Sequence, residues 1–416
     1  MKSFRRMASA LWRESIARSG PHGLANVGYL RRRPVPSVAL HRSLWLASLP
    51  GWPRPLALLV EANLWVRWTF FGAWRATWRV VRRRGAEACA ADGVPIGRQA
   101  RRVLGLALRW GVPPAQAYQF GLHVPPPAGQ RGAADPALRY IFPAEAGAWH
   151  RHLNGADPQR ARAVALLRDK SALTRILATA GVPTVETLAT WTSGESADFA
   201  AWASARLPPG AAAPPGVFFK LRDGHGALDA FAAWRQDGDW VARSIDGRTA
   251  RGAAAVQPWW AALTAHGDVL AQPRLATHPA LAALAGNDDA ITVRVITRRA
   301  DAGSTGVMAI LEVPVGRAGL HVLWPVDVAD GAVGTTTWDG RPASLLEDVS
   351  VPESGLRVPE WEVLLHDSCR AHQLVGALAL IAWDWVVTPH GARLLEGNSG
   401  WAVAPPQRLF GPLARP

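Results

Sequence analysis

The segment Trp383–Asn398, WDWVVTPHGARLLEGN, constrains the fold more than any other stretch of the chain. Thr388-Pro389-His390-Gly391 carries turn chemistry between two runs rich in Val, Ile, Leu and Trp. Two antiparallel strands are therefore expected, Leu378 to Val387 and Ala392 to Glu396. A hairpin closed at that turn sets Asp384 opposite Leu395 or Glu396, and strand alternation puts Glu396 and Asn398 on one face. Two carboxylates and an amide oxygen then converge in apolar surroundings. Buried carboxylates demand a cation or a donor, and an all-oxygen set with room for phosphate oxygens suits Mg²⁺. Taken alone, the segment also reads as a solvated hairpin whose acids point outward.

At 416 residues, 49% hydrophobic and 8% aromatic, the chain has material for two or three domains with a substantial core, and wholesale disorder is excluded. Cys89 and Cys369 lie far apart and show neither metal-ligand nor redox spacing, so a disulfide framework is excluded and a reducing cytosol is the simpler setting. Lys is scarce and Arg abundant, which reads mainly as coding bias.

Charge is unevenly placed. Residues 1 to 109 hold twenty of the basic residues against Glu14, Glu61, Glu87 and Asp92, leaving the remainder of the chain slightly acidic. The N-terminus does not read as a secretory leader. The most apolar stretch, Pro55 to Val81, is interrupted by Glu61, Arg67, Arg75 and Arg79, which argues against a transmembrane helix. It also carries six Trp and Phe residues and leads into Arg82-Arg83-Arg84. Such a helix either lies on an anionic membrane surface or an acidic partner, peripheral to the inner membrane face, or packs on the main domain under snorkelling Arg stems. No nucleic-acid motif accompanies the arginines, so no specific nucleic acid is expected.

Along the chain, residues 1 to about 50 read as loosely structured and basic, and a helical pattern follows, with Ala100 to Trp110 amphipathic. Helical pattern resumes after Pro143 and runs through Arg160 to Ala180, where Gly181 and Pro183 stop it. Strands are expected at Val217 to Leu221, Val269 to Pro273, Ala290 to Arg298 and Val307 to Val313, and a helix over Pro359 to Ala377. Helices mixed with strands in this order indicate an α+β or mixed α/β fold.

Three further segments carry charge in suggestive settings. Val217-Phe218-Phe219-Lys220 is an apolar strand ending in Lys, followed by a loop with Gly224, His225 and Gly226. A glycine loop admits phosphates to backbone N–H groups, and a Lys at its edge adds a point charge; the same pattern also serves as an ordinary turn. Asp169-Lys170 opens a helix, where Lys170 also reads as a solvated charge. Arg294 stands inside the β-branched strand TVRV, where an anionic partner is expected.

The order of these pieces, DK, Gly-Val-Pro, FFK with its Gly loop, VLAQPRL, TVRV, WDW and LLEGN, resembles the ATP-grasp superfamily, and most closely its sugar-transfer-associated or α-L-glutamate-ligase-related branch. The resemblance covers roughly Asp169 to Gln407, and HPALAAL and VPEWEVLLHDSCRAH add branch-level detail. It implies two α+β lobes gripping ATP, a small lobe over residues 166–275 and a large lobe with the metal site over 276–416. A loosely structured basic N-terminus (1–50) and a mainly helical region (51–165) would precede them. Lys170 and Lys220 would contact ATP phosphates, with Gly224, His225 and Gly226 in a loop closing over them. Gln272, Arg274 and Leu275 would lie in the hinge along the adenine. Arg294 would neutralise charge on the transferred phosphoryl, and Asp384, Glu396 and Asn398 would hold Mg²⁺. The implied activity is ATP-dependent joining of a carboxylate to an amine through an acyl phosphate, in cell-surface polysaccharide or peptide modification. The other reading is a nucleotide-binding partner without turnover, docked on a membrane-bound glycan assembly system. Val322 to Gly340, where the branch supplies acceptor-site residues, offers Asp327, Asp330 and Asp339 in no pattern that identifies an acceptor.

Overall fold

The computed structural model describes residues 20, 24, 26–32, 34–49, 51, 53–126, 135–155, 157–208, 210–213, 216–223, 229–301, 303–315, 320–335 and 352–414. The chain divides into two compact units, Met1–Leu153 with Ala402–Pro416, and Asn154–Trp401. Both elements of the expected mixed class are present, helices in the first unit and two antiparallel sheets with covering helices in the second.

In the first unit, the described part of residues 1–50 includes a helix over Pro36–Ser48. Its His41 is fully buried: Nδ1 faces the Glu145 carboxylate and Nε2 the carbonyl of Leu138. Burial opposes protonation of this ring, but Glu145 and the Leu138 carbonyl outweigh it and raise its pKa. Next comes a continuous helical rod, Arg54–Arg67, a π-turn at Trp68–Gly72, and Ala73–Asp92. Its buried positions run Ala57, Glu61, Leu64, Trp68 and then Ala73, Thr77, Val81, Gly85. Every step is three or four residues except the step of five from Trp68 to Ala73, which falls in the π-turn. The wide turn absorbs one extra residue and keeps a single face inward. Gly93, at φ 67°, ends the rod, and the helix Ile96–Trp110 packs on it, where Ala107 accepts the Trp68 indole N–H at 2.9 Å. The closing residues join this unit through Gln407, whose side-chain amide bonds both the N–H and the carbonyl of Ile141.

The second unit holds a six-stranded antiparallel sheet, β1 (Ala189–Trp191), β2 (Val217–Leu221), β3 (Phe231–Gln236), β4 (Asp239–Ser244), β5 (Thr249–Arg251) and β6 (Val269–Pro273), in the order β1-β6-β2-β3-β4-β5. Asp237 and Gly238, both at positive φ, close the β3–β4 hairpin as the two-residue turn that matches strand twist. Helices Phe199–Arg206 and Ala253–Thr264 contribute to its aromatic core, in which Phe199, Trp202, Phe219, Phe231 and Trp260 are buried.

The second sheet contains β7 (Thr292–Ala300), β8 (Gly303–Val315), β9 (Leu320–Val326), β10 (Leu380–Thr388) and β11 (Gly391–Asn398), ordered β11-β10-β7-β8-β9. Every residue of β10 is buried, with Trp383 and Trp385 in the core alongside the helix Trp361–Val375. The helical pattern from Arg160 to Ala180 forms two helices, Pro158–Arg168 and Lys170–Thr179, the second opening at Asp169-Lys170 as expected. Asp169 separates them because its carboxylate accepts the N–H of Ala172 and caps the second helix.

Candidate active site

The hairpin register places the first part of the site. Asp384 on β10 pairs with Glu396 on β11 and with Arg294 on β7, so three charged residues stand abreast across neighbouring strands. A bulge after Asp384 leaves Leu395 unpaired and selects Glu396 as the partner. Arg294 binds Asp384 through two bonds, Nε to Oδ1 at 2.7 Å and Nη2 to Oδ2 at 3.0 Å. Its third nitrogen reaches Glu312 of β8 at 3.0 Å. A guanidinium gripped by two carboxylates is what a charge needs at the centre of an apolar sheet. Burial works against its charge, but Asp384, Glu312 and Glu396 together hold it firmly cationic.

Asn398 follows on the Glu396 face. Its amide nitrogen lies 2.9 Å from Asp384 Oδ2 and 3.3 Å from Glu396 Oε1. One amide therefore reaches both carboxylates. Rotating it by half a turn presents Oδ1 instead, which makes three oxygens converge on one point. That donor set fits a hard divalent cation, with phosphate or water oxygens completing the shell. Among the described residues no group of three His, Cys, Asp or Glu could hold a metal, so Asn398 is essential to the fit.

Two lysines face this array, one from the six-stranded sheet and one from a helix. Lys220 is the next-to-last residue of β2, and Lys170 begins the helix capped by Asp169. Lys170 Nζ lies 3.6 Å from Glu396 and 3.5 Å from the carbonyl of Arg222. Together with Gln272, Arg274, Leu275, Arg294, Asp384 and Glu396 they line one cleft of about 460 Å³. Phe218, Ile245, Val315 and Val386 give it apolar walls. The segment from Gln272 to Leu275 is where the chain leaves the first sheet on its way to the second. The Arg274 guanidinium sits over Trp234 and donates to the carbonyl of Asp288, so that side chain braces the crossing. Gly224, His225 and Gly226 lie outside the described residues, as does Asp339.

The cleft penalises charge of both signs. Burial pulls the Lys220 ammonium down to about 8, against the attraction of Glu396, and neighbouring Lys170 adds to the effect. Burial pushes Asp384 up to about 6 in spite of Arg294, with Glu312 and Glu396 adding to the rise. A ligand bearing several negative charges and a divalent cation would relieve both at once.

Sequence reasoning did not single out Glu312, Arg243 or Asp289. Glu312 holds Arg294 from the far side, and Arg243 pairs with Asp289 at 3.2 Å on the cleft wall. A signal for Glu312 was present, since it is the only carboxylate in the thirteen residues of β8.

No protein-family model and no curated protein matches the chain. Solved structures resembling it include the D-alanine-D-alanine ligase from Coxiella burnetii, 10% identical over 57% of this chain and 48% of that one, with a TM-score of 0.32. D-alanyl-alanine synthetase A from Vibrio cholerae is 11% identical over 60% and 59%, at 0.37. N5-carboxyaminoimidazole synthase from Aspergillus clavatus, in complex with ADP and its ribonucleotide ligand, is 10% identical over 58% and 47%, at 0.32. The matches span about half the length of these chains, and likeness of that order leaves the cleft's own residues to carry the functional argument.

Proposed function

We propose that the chain is an ATP- and Mg²⁺-dependent carboxylate–amine ligase of the ATP-grasp type. The observation that carries this reading is the pairing, in one cleft, of two lysines with Asp384 and Glu396, whose carboxylates the Asn398 amide reaches. Triphosphate oxygens answer the lysines, and a magnesium ion held by Asp384, Glu396 and Asn398 answers the carboxylates. Bound there, the ion would supply charge neutralisation between phosphate oxygens.

The chain's own residues do the remaining work. Lys170 and Lys220 hold the phosphates as point charges. The segment Gln272–Leu275 lies along the adenine, between the apolar walls. Arg294, held by Glu312, offers a fixed guanidinium to the transferring phosphoryl. A substrate carboxylate oxygen attacks the γ-phosphorus and ADP leaves. The amine nitrogen then attacks the acyl carbon, phosphate departs, and the amine loses a proton. Positioning and charge suffice for both transfers, with no nucleophilic side chain required. A place in cell-surface polysaccharide or peptide modification rests on the branch resemblance alone.

The test is ADP and phosphate release by the full chain with Mg·ATP and mixed pools of carboxylates and amines. Release should need both pools and fall at least about a hundredfold in Asp384→Asn, the usual scale for losing a group that positions transition-state charge. Nucleotide binding without ADP release from any pool would favour the partner without turnover. Asp384→Asn turning over like the wild type would refute the ligase site.

A further inference from the structure

The helical rod of the first unit presents a second feature that the cleft does not use. With Ala73, Thr77, Val81 and Gly85 turned inward, the exposed side carries Phe70, Phe71, Trp74 and Trp78, which are 66, 66, 52 and 71% exposed. A single exposed apolar side chain is ordinary, but four large aromatics in nine residues form a contiguous apolar strip of the kind that marks an interaction surface. Two neighbouring rows run along it at helical spacing, Phe70-Trp74-Trp78-Arg82 and Phe71-Arg75-Arg79-Arg83. The first is apolar until its last residue, and the second is basic after its first. Leu59 and Val66, both more than half exposed, prolong the apolar side toward the start of the rod. Among the described residues, no ion pair engages Arg75, Arg79, Arg82 or Arg83.

We infer that this face docks on an anionic lipid surface, with the rod lying in the plane of the headgroups. Aromatic rings that combine apolar area with a polar edge settle at the water–lipid boundary, and flanking arginines answer lipid phosphates. Charge complementarity selects lipid over a neutral apolar partner: twenty basic residues against four acidic ones lie in residues 1–109, and the rows place arginines beside the rings. A second copy of the same face would set these arginines against one another. No described helix is long and apolar enough to cross a membrane, so the mode is surface attachment.

The test is co-sedimentation of the full chain with vesicles of phosphatidylglycerol and phosphatidylcholine, and of phosphatidylcholine alone, at low and high salt. Binding to the anionic vesicles should exceed binding to the neutral ones at least tenfold and weaken as salt rises, because part of it is screened attraction. Each arginine at the surface contributes about fivefold to partition, so the quadruple Arg75/Arg79/Arg82/Arg83→Gln variant should lose the anionic preference. Trp74→Ser with Trp78→Ser should lower binding to anionic vesicles at both salts. Circular dichroism and melting temperature establish that each variant is folded, and since these side chains are exposed, both measurements should match the wild type. Failure of the folded wild type to bind anionic vesicles at low salt overturns the inference. So does a concentration-dependent dimer that the Trp pair abolishes while vesicle binding stays unchanged, since that assigns the face to a second copy.

Discussion

Lys220 and Asp384 sit in a cleft that disfavours the charge each would carry in the proposed binding of nucleotide and metal, and this would give that binding a defined pH window. Lys220 in the free protein titrates at about 8. Below that value the proton is already in place and ATP affinity should be flat. Above it, binding must take up a proton, so affinity should fall about tenfold per pH unit until the raised pKa of the complex is passed. At the acid end, Asp384 at about 6 must be ionised to serve a cation, so the Mg²⁺-dependent part of the affinity should disappear as pH falls through that value. Calorimetric titration with ATP between about pH 4 and about pH 10, roughly two units beyond either value, checks both limbs. Lys220→Arg should flatten the alkaline limb, since a guanidinium keeps its charge throughout. An alkaline limb unchanged by that substitution would remove Lys220 from the phosphate site. At this scale much was legible. The Thr388–Gly391 turn brought Asp384 opposite Leu395 or Glu396, while the bulge that selects Glu396 had no sequence signal. Of the forty-six basic residues only Lys2, Lys170 and Lys220 are lysines, and two of the three line the cleft. In a chain so biased to arginine, the positions that keep lysine were themselves a signal. Glu312 offered one faint signal, as the lone carboxylate of β8, but that strand is buried over most of its length and alternation there does not tell cleft from core.

Elements defined by local chemistry were readable, and those defined by tertiary context were not. Val217–Leu221 and Val269–Pro273 stand at the residues where their apolar runs begin and end. The strands β3 to β5 went unanticipated although Asp237-Gly238 is a strong hairpin signal, because their runs mix Ala, Trp and Arg in place of clean alternation. The π-turn at Trp68–Gly72 was equally hidden: nothing in WTFFG opposes an ordinary helix, and only the five-residue step in the buried face reveals it. That step yields a prediction. Deleting the exposed Thr69 converts the wide turn to an α-turn and leaves Ala73, Thr77, Val81 and Gly85 facing inward. The melting temperature should therefore change by only a few degrees, about 1 kcal/mol or less for a unit of this size. Deleting Arg79 instead rotates Val81 and Gly85 off the buried face and should lower it far more, as loss of core burial does. Equal melting losses for the two deletions would mean that the π-turn has no role in phasing the rod.

Over the whole molecule, charge and chemistry are separated by unit. The first unit holds most of the excess basic charge and the exposed aromatic face, while the second carries both sheets and the cleft. Composition alone disclosed the charge asymmetry, and motif order disclosed the cleft. The joining of residues 402–416 to the first unit had no sequence signal, because it depends on Gln407 finding the backbone of Ile141 some 266 residues earlier. The central claim is that the cleft of the second unit binds a nucleoside triphosphate through a cation held by Asp384, Glu396 and Asn398. The most direct measurement is calorimetric titration of the full chain with ATP, with and without Mg²⁺, beside the near-isosteric Glu396→Gln variant. Saturable binding should strengthen at least about tenfold with Mg²⁺ in the wild type, the scale expected for one hard ligand set, and that gain should vanish in the variant while its melting temperature is retained. Absence of ATP binding by the folded wild type, or an undiminished Mg²⁺ gain in Glu396→Gln, would contradict the account.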